Sequence, residues 1–174
     1  MHRDMRICSQ GRVLKKMRPG NLKCKKKTGQ GLVMPMAILY HEEKHIFTLQ
    51  TTRTTYQMKV DEFGFLLHLY YGGKITGQMD YLLTYQDRGF SGNPFDTGND
   101  RTYSMDVLPQ EYPCLGSGDY RSSALVIRNG DGSECCDLRY VGYQIKKGKY
   151  GLSGLPAVYA DEKEAETLEI LMED

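Results

Sequence analysis

The stretch TYQMKVDEFGFLLHLYYGG, Thr55–Gly73, decides how the rest of the chain is read. Tyr56, Met58 and Val60 alternate with Gln57 and Lys59, the period of two expected of a half-buried strand. DEFG, Asp61–Gly64, reads as a turn. FLLHLYY, Phe65–Tyr71, reads as a more fully buried strand that ends at Gly72-Gly73.

Upstream, Ala37–Tyr40 and Ile46–Thr51 are short runs separated by the polar turns HEEK and TTR. Strands this closely spaced predict an antiparallel meander and hence a sandwich. Downstream, Ala124–Arg128 is expected to be a strand leading into NGDG at Asn129–Gly132, a strong hairpin signal. Cys136–Ile145 is then the returning strand, and KKGK at Lys146–Lys149 turns the chain again. DEKEAETLEILMED has the composition of a helix, but Leu168, Ile170 and Met172 alternate with Glu169 and Leu171, which favours a strand. That last strand is expected to lack a neighbour where the chain stops, leaving an open edge prone to association.

Between the two strand blocks lie about 50 residues, Gly72 to Ser123, with little periodicity and many aromatics, a length that in a compact domain is usually functional or disordered. Its aromatic content predicts order through packing. Within it, LPQEYPCLGSGDYR, Leu108–Arg121, concentrates prolines, glycines, tyrosines and charges in a loop.

Charge divides the chain in two. Residues 1–35 carry ten Lys or Arg and one acid, whereas residues 36–174 carry the other 13 basic residues and 21 acids. The head has no apolar signal core. A mitochondrial presequence fits its Arg/Lys content but not its spacing. A nucleic-acid tail would centre on Lys23–Lys27, where no aromatic is interleaved for stacking. We read it as a disordered or non-native leader, with translation starting naturally at Met34 or Met36, and residues 36–174 as the domain.

No run approaches the ~20 apolar residues that a membrane span requires. The five cysteines are an odd number, without C-x-x-C or zinc-ligand spacing, and predict reduced thiols in the cytoplasm. Neither a metal nor a cofactor is expected. His41 and His45 bracket a turn in which they need not converge. His68 is expected on a sheet face with a hydrogen-bond partner, and Cys114 as a small buried residue. Seven carboxylates crowd the insertion (Asp80, Asp87, Asp96, Asp100, Asp106, Glu111 and Asp119), and spacing selects no catalytic pair among them.

LPQEYPCLGSGDYR resembles a stretch near the N-termini of bacterial α-galactosidases of glycoside hydrolase family 36. MAILYHEEKHIFTLQT, FLLHLYYGGKI, DRTYSMD and DLRYVGYQIKKGKYGLSGLPAVYADEKEAETLEI are similar to the same family in the same order, so the resemblance runs from about Met36 to Asp174. It implies an all-β fold: the family's large antiparallel β-sandwich of the supersandwich type, incomplete at the C-terminus. In the family this domain precedes a (β/α)₈ barrel, whose two aspartates hydrolyse α-galactosides with retention. The nucleophile there lies in a Lys-Trp-Asp context, and this chain has no tryptophan. The resemblance therefore implies a non-catalytic N-terminal domain, inactive alone. Its partners would be α-galactoside oligosaccharides, through the full-length enzyme, and further copies in a homotetramer. No nucleic acid or membrane partner is implied. Loops of this domain help close a neighbour's active site, and the matching positions are Asp87 in YQDRGFS and Arg101 in NDRTYS. The alternative is a free-standing carbohydrate-binding or assembly module without hydrolase activity.

Overall fold

The computed structural model describes residues 5–8, 37–89, 92–116, 118–149 and 165–174. Among these residues seven strands form two antiparallel sheets. The first sheet is the meander β2 (Ala37–His41), β3 (Ile46–Gln50), β4 (Thr54–Val60) and β5 (Leu66–Gly73), in that order. The second has the order β1 (Met5–Cys8), β7 (Glu166–Glu173), β6 (Arg139–Lys147).

The turn between β4 and β5 forms as its residues dictate. Asp61 Oδ1 accepts the N–H groups of Phe63 at 3.0 Å and Phe65 at 2.8 Å. Gly64 takes φ +84°, open to glycine without a Cβ penalty. Across the meander the inward row Tyr40, Phe47, Met58, His68 is in register, and so is the row Ile38, Leu49, Tyr56, Tyr71. Phe47, Met58, Val60 and Leu66 from this sheet meet Leu168, Ile170 and Met172 of β7, with Cys114, Cys136 and Leu138, in the core between the sheets.

The period of two in β5 feeds a second core. Phe65 and Leu67 point to the outer face, where Tyr103, Met105 and Leu108 of the insertion cover them. Both faces of β5 from Leu66 to Leu69 are therefore occupied, which is why FLLHL carries so few polar residues. Beside this core the insertion satisfies the polar outer face of β3 and β4. Gln57 donates to the Gly77 carbonyl at 2.9 Å and accepts from Met79 N–H at 3.0 Å; Ile75 N–H reaches Thr55 Oγ1 at 3.1 Å.

Three expectations need correction. Ala124–Arg128 is not a strand: Leu125 makes a single parallel bridge to Cys114, and Ala124 N–H bonds the Pro113 carbonyl at 2.9 Å. Pro113 has no N–H with which to extend a ladder. The NGDG turn still forms, with Gly132 N–H on the Asn129 carbonyl at 3.0 Å, but the strand after it starts only at Arg139. Finally, β7 has no open edge, because β6 and β1 flank it. β1 comes from the basic head, otherwise outside the described residues; it pairs Met5 with Met172 and Cys8 with Glu169.

Candidate functional site

Asp87 and Arg101, 14 positions apart, meet in the insertion. Asp87 Oδ1 accepts the N–H of Gly89 at 2.7 Å, closing a turn, and Oδ2 lies 3.3 Å from Arg101 Nε. Arg101 Nη2 donates to the Gly89 carbonyl at 2.8 Å, so one guanidinium holds both the carboxylate and its turn. The side chains remain 48% and 64% exposed, open enough for hydroxyl groups to reach them.

Arg101 is fixed from both sides in sequence. The Asp100 carboxylate accepts the Thr102 hydroxyl at 2.6 Å and the Thr102 N–H at 2.9 Å, which holds its pKa below the usual carboxylate range. Tyr103 is buried, packed edge-on against Phe63 with centroids 4.8 Å apart and stacked on Tyr85 at 5.7 Å. The exposed pair thus hangs from an anchored segment.

The other carboxylates of the insertion have mostly structural partners. Asp80 pairs with Lys44 at 3.0 Å, Asp96 with Arg139 at 3.3 Å and Asp119 with Arg121 at 2.6 Å. Asp106 Oδ1 is buried with no hydrogen-bond partner among the described residues. Glu111 joins the loop to the first sheet: one oxygen accepts the Tyr56 hydroxyl, and the other accepts His68 Nδ1 at 2.8 Å. Burial and the adjacent Glu111 charge push the Tyr56 pKa up. His68 therefore has the expected partner, although nothing in the sequence pointed to a residue 43 positions away.

His45 bonds the Tyr40 hydroxyl through Nδ1 at 2.8 Å. Among the described residues no group of three or more His, Cys, Asp or Glu is arranged to hold a metal ion. Cys114 and Cys136 are buried thiols, and burial raises the pKa of both, that of Cys136 to about 12. No helix among the described residues is long and apolar enough to cross a membrane.

Residues 64–174, which hold β5, the insertion, β6 and β7, match the model of the glycosyl hydrolase family 36 N-terminal domain. The chain belongs to this family. Over 139 residues the domain is 64% identical to the bifunctional alpha-galactosidase/sucrose kinase AgaSK of Mediterraneibacter gnavus, covering 80% of this chain and 15% of the relative. It is 42% identical over 141 residues to alpha-galactosidase 1 of Pediococcus pentosaceus, covering 79% and 19%. The galactosidase domain of AgaSK superposes with a TM-score of 0.76 over 79% of this chain and 19% of that one. The family 36 alpha-galactosidase AgaB of Geobacillus stearothermophilus does so with a TM-score of 0.68 at 42% identity, over 79% and 18%. The family 36 N-terminal domain described here thus spans less than a fifth of the length of these relatives.

Proposed function

We propose that this chain is the non-catalytic N-terminal domain of an α-galactosidase that removes terminal α-galactosyl residues with retention, and that Asp87 and Arg101 contact the substrate. The observation that carries this reading is the 64% identity, at TM-score 0.76, to the corresponding part of AgaSK. In the assembled enzyme the nucleophile and the acid/base lie in a barrel. Asp87 accepts hydrogen bonds from sugar hydroxyls, and Arg101 holds its carboxylate in place, a contribution of position rather than of bond making. The enzyme is a homotetramer in the cytoplasm acting on α-galactoside oligosaccharides, without nucleic-acid or membrane partners. Residues 36–174 are the domain that joins the enzyme, and the basic head, although its β1 covers the edge of β7, contributes nothing to activity.

The test is a hybrid in which residues 36–174 replace the matching part of AgaSK. It should hydrolyse an aryl α-galactoside equally well with and without residues 1–35 in front, whereas the isolated chain should not hydrolyse it at all. Asp87→Asn and Arg101→Ala should each lower kcat/KM about tenfold, or ~1.4 kcal/mol, with unchanged thermal unfolding. A folded but inactive hybrid would refute the assignment, and unchanged kinetics would reduce the pair to a loop salt bridge.

A further inference from the structure

Two thiols meet in the core between the sheets. Cys114 ends the EYPC run of the insertion, and Cys136 lies three residues ahead of β6. They are 4% and 6% exposed, enclosed in the cluster that holds Met58, Leu138 and Met172. Their backbones run side by side, with Cys136 N–H on the Leu115 carbonyl at 2.9 Å. Chains joined in this way lie about 4.8 Å apart, inside the range of about 4.4–6.8 Å between Cα atoms that a disulfide spans.

The side chains converge as well. Cys136 S–H donates to Cys114 Sγ, and Leu138 N–H donates to the same sulfur. Both donors favour a thiolate at Cys114, while burial and the charges of Asp137 and Asp174 oppose it. Cys114 is therefore the first of the two to lose its proton, and Cys136, the donor, holds its own more tightly. The neighbouring Cys135 is exposed and lies against Gly116, where an added Cβ would be 2.9 Å from its sulfur. Adjacent residues of an extended segment point to opposite sides, which separates Cys135 from the buried pair.

We propose that Cys114 and Cys136 form a reversible disulfide when the protein meets hydrogen peroxide, a redox lock that fastens the insertion to the segment leading into β6. The Cys114 thiolate attacks one oxygen of the peroxide. The O–O bond breaks, the departing hydroxide takes up the proton that Cys114 released, and a sulfenic acid remains. Cys136 Sγ then attacks that sulfur: the S–S bond forms, the S–O bond breaks, and the hydroxyl leaves as water with the Cys136 proton. Two thiols lose two electrons in all, and one peroxide is reduced to two waters. Burial slows the first step, so the lock answers sustained peroxide rather than a brief pulse. The closed loop of about 20 residues carries Asp119 and Arg121, whose contacts hold Met105 and Leu108.

The test treats the full 174-residue chain with hydrogen peroxide, at about pH 8 for about an hour, then blocks remaining thiols by alkylation and digests with trypsin. Mass spectrometry should find the peptides Thr102–Arg121 and Asn129–Arg139 joined by one disulfide, and separate again after dithiothreitol. Cys135→Ser should keep the link, whereas Cys114→Ala and Cys136→Ala should each abolish it, with circular dichroism checking the fold. Fragment ions of the linked wild-type peptides assign the sulfurs even if an alanine variant fails to fold. The oxidised protein should unfold about 5–10 °C higher than the reduced one, a shift absent from either alanine variant. A link that persists in Cys136→Ala, or that is lost in Cys135→Ser, would overturn the pairing. No link, whether the thiols stay reduced or reach sulfinic acid, or a link that forms only in urea, would overturn the lock.

Discussion

Replacing Arg121 by Met removes a charge from the best-connected ion pair of the loop while keeping most of its aliphatic stem. Asp119 is buried, its side chain 1% exposed. Its oxygens accept Arg121 N–H at 3.0 Å, Nε at 2.8 Å and Nη2 at 2.6 Å, and Gln110 Nε2 at 2.9 Å. Arg121 Nη2 also donates to the carbonyls of Met105 at 2.9 Å and Leu108 at 2.7 Å. Removing one partner of a buried pair costs about 3–5 kcal/mol, because the other charge is stranded. The Arg121 side chain is 40% exposed, so solvent screening lowers the expected loss to ~2–3 kcal/mol. At this chain length that corresponds to a fall in Tm of about 5–10 °C, read by circular dichroism at pH 7. The sign with pH follows from Asp119. Burial pushes its pKa up, but the Arg121 and Gln110 hydrogen bonds and the Arg121 charge outweigh it and hold the value below 3.8. A depressed folded pKa gives stability that is present above the unfolded pKa and lost as pH falls through the folded one. The wild-type advantage should therefore hold from neutral pH to about 5 and shrink below about 4. Arg101→Met is the internal control: that pair is exposed, and its loss should cost less than about 0.5 kcal/mol. An Arg121→Met variant within about 0.5 kcal/mol of wild type, or a gap unchanged at acid pH, would refute the reasoning.

Two further outcomes follow from buried polar groups. Burial raises the Asp61 pKa from 3.8 to about 6, against the N–H groups of Phe65 and Phe63 and the charge of Arg139. Because the folded state binds this proton more tightly, stability should fall as pH rises between those two values. Asp61→Asn keeps an acceptor for the turn, should flatten that slope, and should gain roughly 1–3 kcal/mol over wild type at pH 7; parallel pH profiles would contradict this. The hydroxyl of Tyr103 is buried with no hydrogen-bond partner among the described residues. Tyr103→Phe should thus be neutral or stabilising by up to about 1 kcal/mol, whereas Tyr103→Ala should cost about 3–5 kcal/mol in denaturant titrations.

The meander was legible because its physics is local. Tyr56, Met58 and Val60 alternate, Asp61 and Gly64 close the turn, and Leu168, Ile170 and Met172 give the period of β7 despite its helix-like composition. Ala124–Arg128 misled because its apolar residues pack on the core without a partner ladder; Leu125 and Ile127 are partly buried while Val126 is 82% exposed. β1 was illegible because a four-residue strand inside a run of basic charge has no period of its own and exists only through pairing with β7. The bulge at Leu69, where the β4–β5 register shifts at Gln57/Met58, is likewise invisible in FLLHLYY, since an apolar run does not say which residue is extra. Asp87 and Arg101 were reached through family resemblance, since a charged pair in an aperiodic loop carries no spacing signal.

The specific residues of LPQEYPCLGSGDYR act on one another and on β5 more than on solvent. Gln110, Asp119 and Arg121 bind each other, Arg121 ties down the carbonyls of Met105 and Leu108, and Leu108 enters the second core. Leu115 accepts Cys136 N–H at 2.9 Å, and Gly116, with φ +104°, brings the loop so close to Cys135 that a Cβ there would lie 2.7 Å from the Cys135 Cβ. Such a loop keeps its backbone polar groups satisfied without regular structure. Its rigidity extends to the segment carrying Arg101, because Met105 and Tyr103 share that second core. The exposed Arg101 side chain, which pairs with Asp87, is therefore carried by a segment whose conformational entropy packing has already removed.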